Sequence, residues 1–216
     1  LGDVYKRQAY GENNGWIYRW DVPHNIADLI ELMGGKEAFR NNLETMYNTP
    51  LGEAKYVFYA QLPDHTGNVG QFSMANEPSM HIPYLYNYIG EPWRTQKRVR
   101  TLLDEWFRND LMGLPGDEDG GGMSAFVVFS MLGFYPITPG LPIYVIGTPM
   151  FERAVIETGA GKSFEVIAHN YSPTNKYIQS AKLNGKDWTQ SWFEHKELMN
   201  GGKLEFTMGN LSLIHI

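Results

Sequence analysis

The chain has 216 residues, enough for one medium domain or one and a half with a sizeable core. Hydrophobic residues make up 43% and charged residues 19%, which suits a globular chain rather than a disordered one. A formal charge of -6 with no basic run argues against nucleic acid as a partner, and no apolar stretch reaches the roughly 18 residues of a spanning helix. Absence of cysteine excludes disulfides, thiolate metal sites and a Cys nucleophile.

Both ends stand apart. Residues 1–8 (Leu1 to Gln8) and 211–216 (Leu211 to Ile216) resemble adapter-derived translations rather than parts of a fold. The natural segment is expected to run from about Ala9 to Asn210 and to be a piece of a longer protein.

The first segment of interest runs from Tyr10 to His24. Glu12 sits there among small polar residues, close in sequence to Trp16 and Trp20. A carboxyl group beside apolar rings has its pKa raised, which suits a general acid. Asn25 can then cap a helix with Ile26, Leu29, Ile30 and Met33 on one face, ended by Gly34-Gly35. Lys36 to Asn48 follows at helical spacing. Residues 80–90 are apolar and aromatic with a proline inside. Thr95 to Asp110 is the clearest amphipathic helix: Val99, Leu102, Leu103, Trp106 and Phe107 form its apolar face, and Arg100 falls among its charged residues.

Between these helices lies Asn76-Glu77-Pro78-Ser79-Met80-His81. The proline pushes Glu77 toward extended backbone, and Asn and Glu oxygens there are hard ligands for a cation or acceptors for hydroxyls. His24 and His81 both lie near prolines, where histidines are commonly hydrogen-bonded core or rim residues.

Asp117-Glu118-Asp119 precedes Gly120-Gly121-Gly122 and an apolar run from Met123 to Leu132 that reads as a buried helix. Three successive carboxylates repel one another, and their place before a helix, where the macrodipole favours negative charge, holds them ionised as a general base requires. Acidic residues before helices are also commonly caps. After Pro136, Pro139 and Pro142 the pattern becomes short strands at 143–146, 154–157, 163–168, 177–183 and 203–207, with Asn184-Gly185 as a hairpin signal. Helices first and strands after give an α+β order without βαβ units.

Taken together, the segments Glu12 to Tyr18, Val22 to Asn25, Asn76 to Gln96 and Gly116 to Phe126 resemble, in order, the motifs of glycoside hydrolase family 92, calcium-dependent inverting exo-α-mannosidases. Gly133-Phe134-Tyr135-Pro136, Gly147 to Phe151 and Tyr177 to Gly185 continue the likeness across nearly all of Ala9 to Asn210. The resemblance implies a mainly α fold with a C-terminal antiparallel β region. Residues 9–140 would belong to a partial (α/α)6 catalytic barrel and 141–210 to the β region. It implies removal of terminal α-linked mannose, α-1,2 foremost, from glycans such as N-glycans. Glu12 matches the general acid, and Asp119, with Asp117 beside it, matches the general base. An inverting pair stands roughly 6.5–9.5 Å apart to admit a water. Asn76 and Glu77 match the Ca2+ region, and Trp16, His24 and His81 are the candidate substrate contacts. A missing N-terminal β-sandwich would be the partner of this segment, the isolated piece would be inactive, and the location would be periplasmic or secreted.

Four departures from the family pattern stand out: Ile17 replaces a Gln, Asn13 a Gly, Phe126 a Trp, and Gly120-Gly121-Gly122 a small polar or Cys-Gly-Gln run. The rival readings are another (α/α)6 carbohydrate-active enzyme and a non-catalytic carbohydrate-binding module. No H-E-x-x-H occurs, which disfavours a metalloprotease.

Overall fold

The structure is a computed structural model that describes residues 13–62 and 64–212. Its helical half contains α1 (Gly15–Tyr18), α2 (Ile26–Leu32), α3 (Lys36–Asn48), α4 (Lys55–Gln61), α5 (Pro92–Trp106) and α6 (Gly122–Leu132). Short 3-10 turns at Glu77–Ser79 and Ile82–Ile89 lie between α4 and α5, after a small hairpin of β1 (Asn68–Val69) and β2 (Phe72–Ser73). Local chemistry sets the helix starts. Asn14 and Asn25 each accept a backbone N–H with their side chains, satisfying amides that have no partner in the helix.

α5 begins and ends about three residues earlier than its periodicity suggests. Pro92 fits the first turn, where its missing N–H costs nothing. At the other end Phe107 turns extended, and the Arg108 amide donates to the Gly113 carbonyl instead of continuing the helix. Arg100 is not on a solvated face. It is 3% exposed, donates to the Pro149 carbonyl at 2.7 Å and lies over Tyr171, because α5 packs on the 82–89 turn on one side and on the β region on another. The 122–132 run is a helix, but it is not buried all round: Met123, Phe126 and Ser130 are covered while Val128 is 58% exposed.

The second half carries β3 (Phe134–Tyr135), β4 (Ile143–Ile146), β5 (Arg153–Gly159), β6 (Lys162–His169), β7 (Tyr177–Leu183), β8 (Lys186–Asp187), β9 (Trp192–Glu194), α7 (His195–Met199) and β10 (Gly202–Gly209). Strands β3, β4 and β9 form one sheet, and β5-β6-β10-β7-β8 is the order in the other. This larger sheet is mixed, not purely antiparallel. β10 inserts between two strands that run in opposite directions, so it is parallel to β6 and antiparallel to β7. Asn184 and Gly185 both take left-handed backbone at the β7–β8 turn, as an Asn-Gly hairpin requires.

Two apolar cores follow from this division. One gathers Trp20, Phe39, Leu43, Met74, Tyr84, Leu102 and Phe126 among the helices. The other gathers Phe134, Phe164, Phe193, Leu204 and Phe206 around the sheets. Tyr84, fully buried, donates to Ser130 Oγ at 2.8 Å and ties the 82–89 turn to α6. That tie holds the last turn of α6 against the 82–89 turn, which follows directly on the Glu77 turn where the candidate site lies.

Candidate active site

The Asn76–Ser79 turn is held from within. Asn76, 3% exposed, uses its side-chain oxygen to accept the Glu77 amide at 2.8 Å. Pro78 sits in the first turn of the short 3-10 helix, where it removes an amide that would otherwise need a partner. The Glu77 carboxyl group is left half-buried on the rim of a cavity of about 390 Å³ that Asp21, Met80, His81, Tyr135 and Pro139 also line. That volume lies within the usual range of small-molecule sites.

His81 is 7% exposed, and its Nε2 lies 2.8 Å from the Trp20 carbonyl. A carbonyl only accepts, so Nε2 carries the proton. Burial holds the imidazolium below its ordinary range, outweighing the Trp20 carbonyl and the Asp21 charge, which act the other way. The ring is therefore neutral near pH 7, with Nδ1 as an acceptor. On the other side of the cavity burial, reinforced by the Glu77 charge, pushes the Tyr135 hydroxyl up to about 12, so it stays a neutral donor, and it reaches Met80 Sδ at 3.6 Å.

The acidic triplet is brought to the same place by its flanking glycines. A Cβ on Gly116 would come within 2.5 Å of the Ala75 carbonyl, and one on Gly122 would lie 3.0 Å from Glu77 Oε1. The 116–122 loop is thus pressed onto residues 75–77 at both of its ends. Within it the three acids differ. Asp117 and Asp119 are exposed. Glu118 turns back to accept the Gly121 and Ser124 amides at the start of α6. Hydrogen bonds from the Ser124 hydroxyl and amide, and from Gly121, hold its carboxyl below the usual range. Asp119 has φ +54, a left-handed conformation that costs a residue with a Cβ about 1–2 kcal/mol and that Asp tolerates better than most.

The remaining expected site residues lie elsewhere or outside the described residues. Glu12 falls in the latter group. Trp16 is half-buried against the helical core, with the Arg19 guanidinium 4.9 Å from its ring centroid. His24 is exposed in the turn after Pro23 and does not line the cavity. Ile17 is fully buried in the core, so this position offers no polar contact. Asn13 is 1% exposed, and neither atom of its amide has a hydrogen-bond partner among the described residues. Asp21 and Tyr135 were not singled out for a role by their sequence context. Their signal is adjacency to Val22-Pro23-His24 and membership in Gly133-Phe134-Tyr135-Pro136.

As for calcium, an oxygen-seeking ion, the residues at hand fit in part. Glu77 offers one partly exposed carboxylate, and Asn13 offers an unpartnered amide oxygen on the segment leading into α1, which packs on the Glu77 turn. Among the described residues no three His, Asp or Glu side chains gather as a complete shell.

A half-buried carboxylate, a neutral histidine and a tyrosine around one cavity, with exposed acids on an adjoining loop, form a site suited to polar, hydroxyl-rich ligands and acid/base work. Residues 3–210 match the glycosyl hydrolase family 92 catalytic domain. The chain belongs to that family. An uncharacterized secreted glycosidase of Arthroderma benhamiae is 34% identical over 201 residues, 92% of this chain and 23% of that protein. A family GH92 alpha-mannosidase of Bacteroides thetaiotaomicron, solved in complex with mannoimidazole, superposes with a TM-score of 0.87 at 35% identity, covering 94% of this chain and 26% of the other. An inverting family GH92 mannosidase of the same species gives 0.79 at 36% identity, covering 93% and 28%. The chain therefore spans about a quarter of the length of these relatives.

Proposed function

We propose that the protein to which this chain belongs removes terminal α-linked mannose, α-1,2-linked in the first instance, from glycans with inversion at the anomeric carbon. Family membership over almost the whole chain supports the reaction class. The observation that carries the site assignment is the pressing of the 116–122 loop onto Glu77, which sets the acidic triplet beside a cavity of suitable size. In this reading Glu12 gives its proton to the leaving glycosidic oxygen. Asp119, with Asp117 at hand, takes a proton from the water that attacks the anomeric carbon from the opposite face. His81 and Tyr135 offer hydrogen bonds to sugar hydroxyls, one as acceptor and one as donor. Trp16 and His24 would bear on substrate only through parts of the protein beyond this cavity.

Glu77, held by Asn76, is the residue of this segment that would hold Ca2+. Such an ion, when bound, supplies a positive centre that draws mannose hydroxyls and favours a distorted ring. The helical half would form part of an (α/α)6 barrel completed, with an N-terminal β-sandwich, by the rest of a longer chain. Secretion accords with the description of the Arthroderma relative, and a periplasmic location is the other expectation.

The test is Asp119→Asn in the full-length protein, assayed for mannose release from α-1,2-mannobiose. Loss of the base should lower kcat by about 10²–10⁴-fold while mannoside binding persists, and the first-formed product should be β-mannose by NMR. Undiminished turnover in the variant would refute the assignment.

A further inference from the structure

We propose that Glu118, the middle acid of the triplet, is a positioning residue for Asp119. This rests on the reading of Asp119 as the base. Asp119, Gly120 and Gly121 take left-handed backbone in succession, with φ of +54, +65 and +109. A Cβ at Gly120 or Gly121 would meet nothing within 4 Å, so side-chain packing does not hold this turn. Its conformation instead depends on hydrogen bonds. The Glu118 carboxylate reaches over Asp119 and Gly120, taking the Gly121 amide on one oxygen and the Ser124 amide, at 3.1 Å, on the other. The Glu118 carbonyl accepts the Met123 amide at 3.2 Å, and the Asp119 carbonyl accepts the Gly122 amide.

The result is a bracket. Its two arms are the two oxygens of one carboxylate, and the segment that it spans is the one that presents Asp119. In this chain the triple glycine leaves no other side chain to do so. An amide in place of the carboxylate keeps one acceptor but sets an NH2 group against a backbone N–H, so one arm is lost. The Asp119 backbone then samples other conformations, and its carboxylate leaves the line of the attacking water. Substrate binding, which rests on the cavity, is unaffected.

The experiment compares Glu118→Gln and Asp119→Ala in the full-length enzyme, with an aryl α-mannoside as substrate, with and without sodium azide. Azide attacks the anomeric carbon itself as the aryl oxide leaves, forming a β-mannosyl azide, and needs no base. Glu118→Gln should lower kcat at least tenfold with KM within twofold of wild type, and azide should restore turnover in both variants. Wild-type kcat in Glu118→Gln, or a loss that azide does not rescue while it rescues Asp119→Ala, overturns the positioning role and leaves the family reading intact. Full activity in Asp119→Ala overturns the reading beneath it. If Glu118→Gln does not fold, Glu118→Asp carries the test. It keeps the charge but is one methylene too short to reach both amides, so an azide-rescued loss of severalfold is expected, and unchanged kcat refutes the bracket.

Discussion

Gly122 is the surface on which the Glu77 carboxylate rests: a methyl group on its α-carbon would lie 3.0 Å from Oε1 and 3.2 Å from Cγ. Gly122 has ordinary helical backbone, with φ -60, so its small size rather than its conformational freedom is what the site uses.

Gly122→Ala should therefore separate stability from function. Alanine is favoured over glycine in a helix by up to about 1 kcal/mol, so the thermal midpoint should hold or rise. Glu77 must shift by a few tenths of an ångström, and turnover of the full-length enzyme should fall. Differential scanning calorimetry beside an activity assay checks both. A variant altered in neither property would show that Glu77 has room to spare.

Gly116→Ala should behave differently. Here the added methyl meets the Ala75 backbone carbonyl at 2.5 Å, and backbone cannot swing away as a side chain can. Overpacking of this kind costs about 1–3 kcal/mol. Urea denaturation should show that loss in this chain, and activity should fall with it because the loop lifts from residues 75–77.

His81 sets a pH dependence with a definite sign. Its folded pKa lies below the ordinary 6.5, so below pH 6.5 the unfolded chain takes up a proton that the native ring refuses. Stability should thus be full above pH 6.5 and decline as the pH falls toward the folded value, by up to about 1.4 kcal/mol per pH unit. His81→Phe should flatten the difference in urea midpoint between pH 7 and pH 5.5. An unchanged slope would show that other groups carry it.

Tyr84→Phe removes the hydroxyl that donates to Ser130 Oγ in a fully buried setting. The expected cost is about 1 kcal/mol, read as a lower urea midpoint. The cut falls on the link between the 82–89 turn and the last turn of α6, so amide exchange should quicken at that end of α6 before it does in the sheet.

The sequence made some of this legible and hid the rest for physical reasons. α3 has the limits its spacing gives, because one apolar face decides it, and β4 and β7 coincide with their expected strands, which prolines and the Asn184-Gly185 turn delimit. Arg100 was misplaced because periodicity assumes one covered face, and α5 has two. The parallel pairing of β10 with β6 depends on insertion between distant strands, which no local pattern records. In the site, the acids and Glu77 were readable from residue type and order. That Glu118 faces the helix while Asp117 and Asp119 face solvent depends on three left-handed residues, of which only the glycines announce themselves.

The place of β10 also bears on how the molecule is made. Strands β6 and β7 are consecutive, yet they do not pair with each other, and the strand that joins them comes after the other four of this sheet in the sequence. Until residues 202–209 leave the ribosome, β6 and β7 each hold an unpaired edge toward the gap, the kind of edge that recruits other chains. A nascent chain stalled before Gly202 should be more prone to aggregate than one stalled beyond Gly209. β10 is thus the strand that closes this sheet, and until it arrives the sheet is two separate pieces.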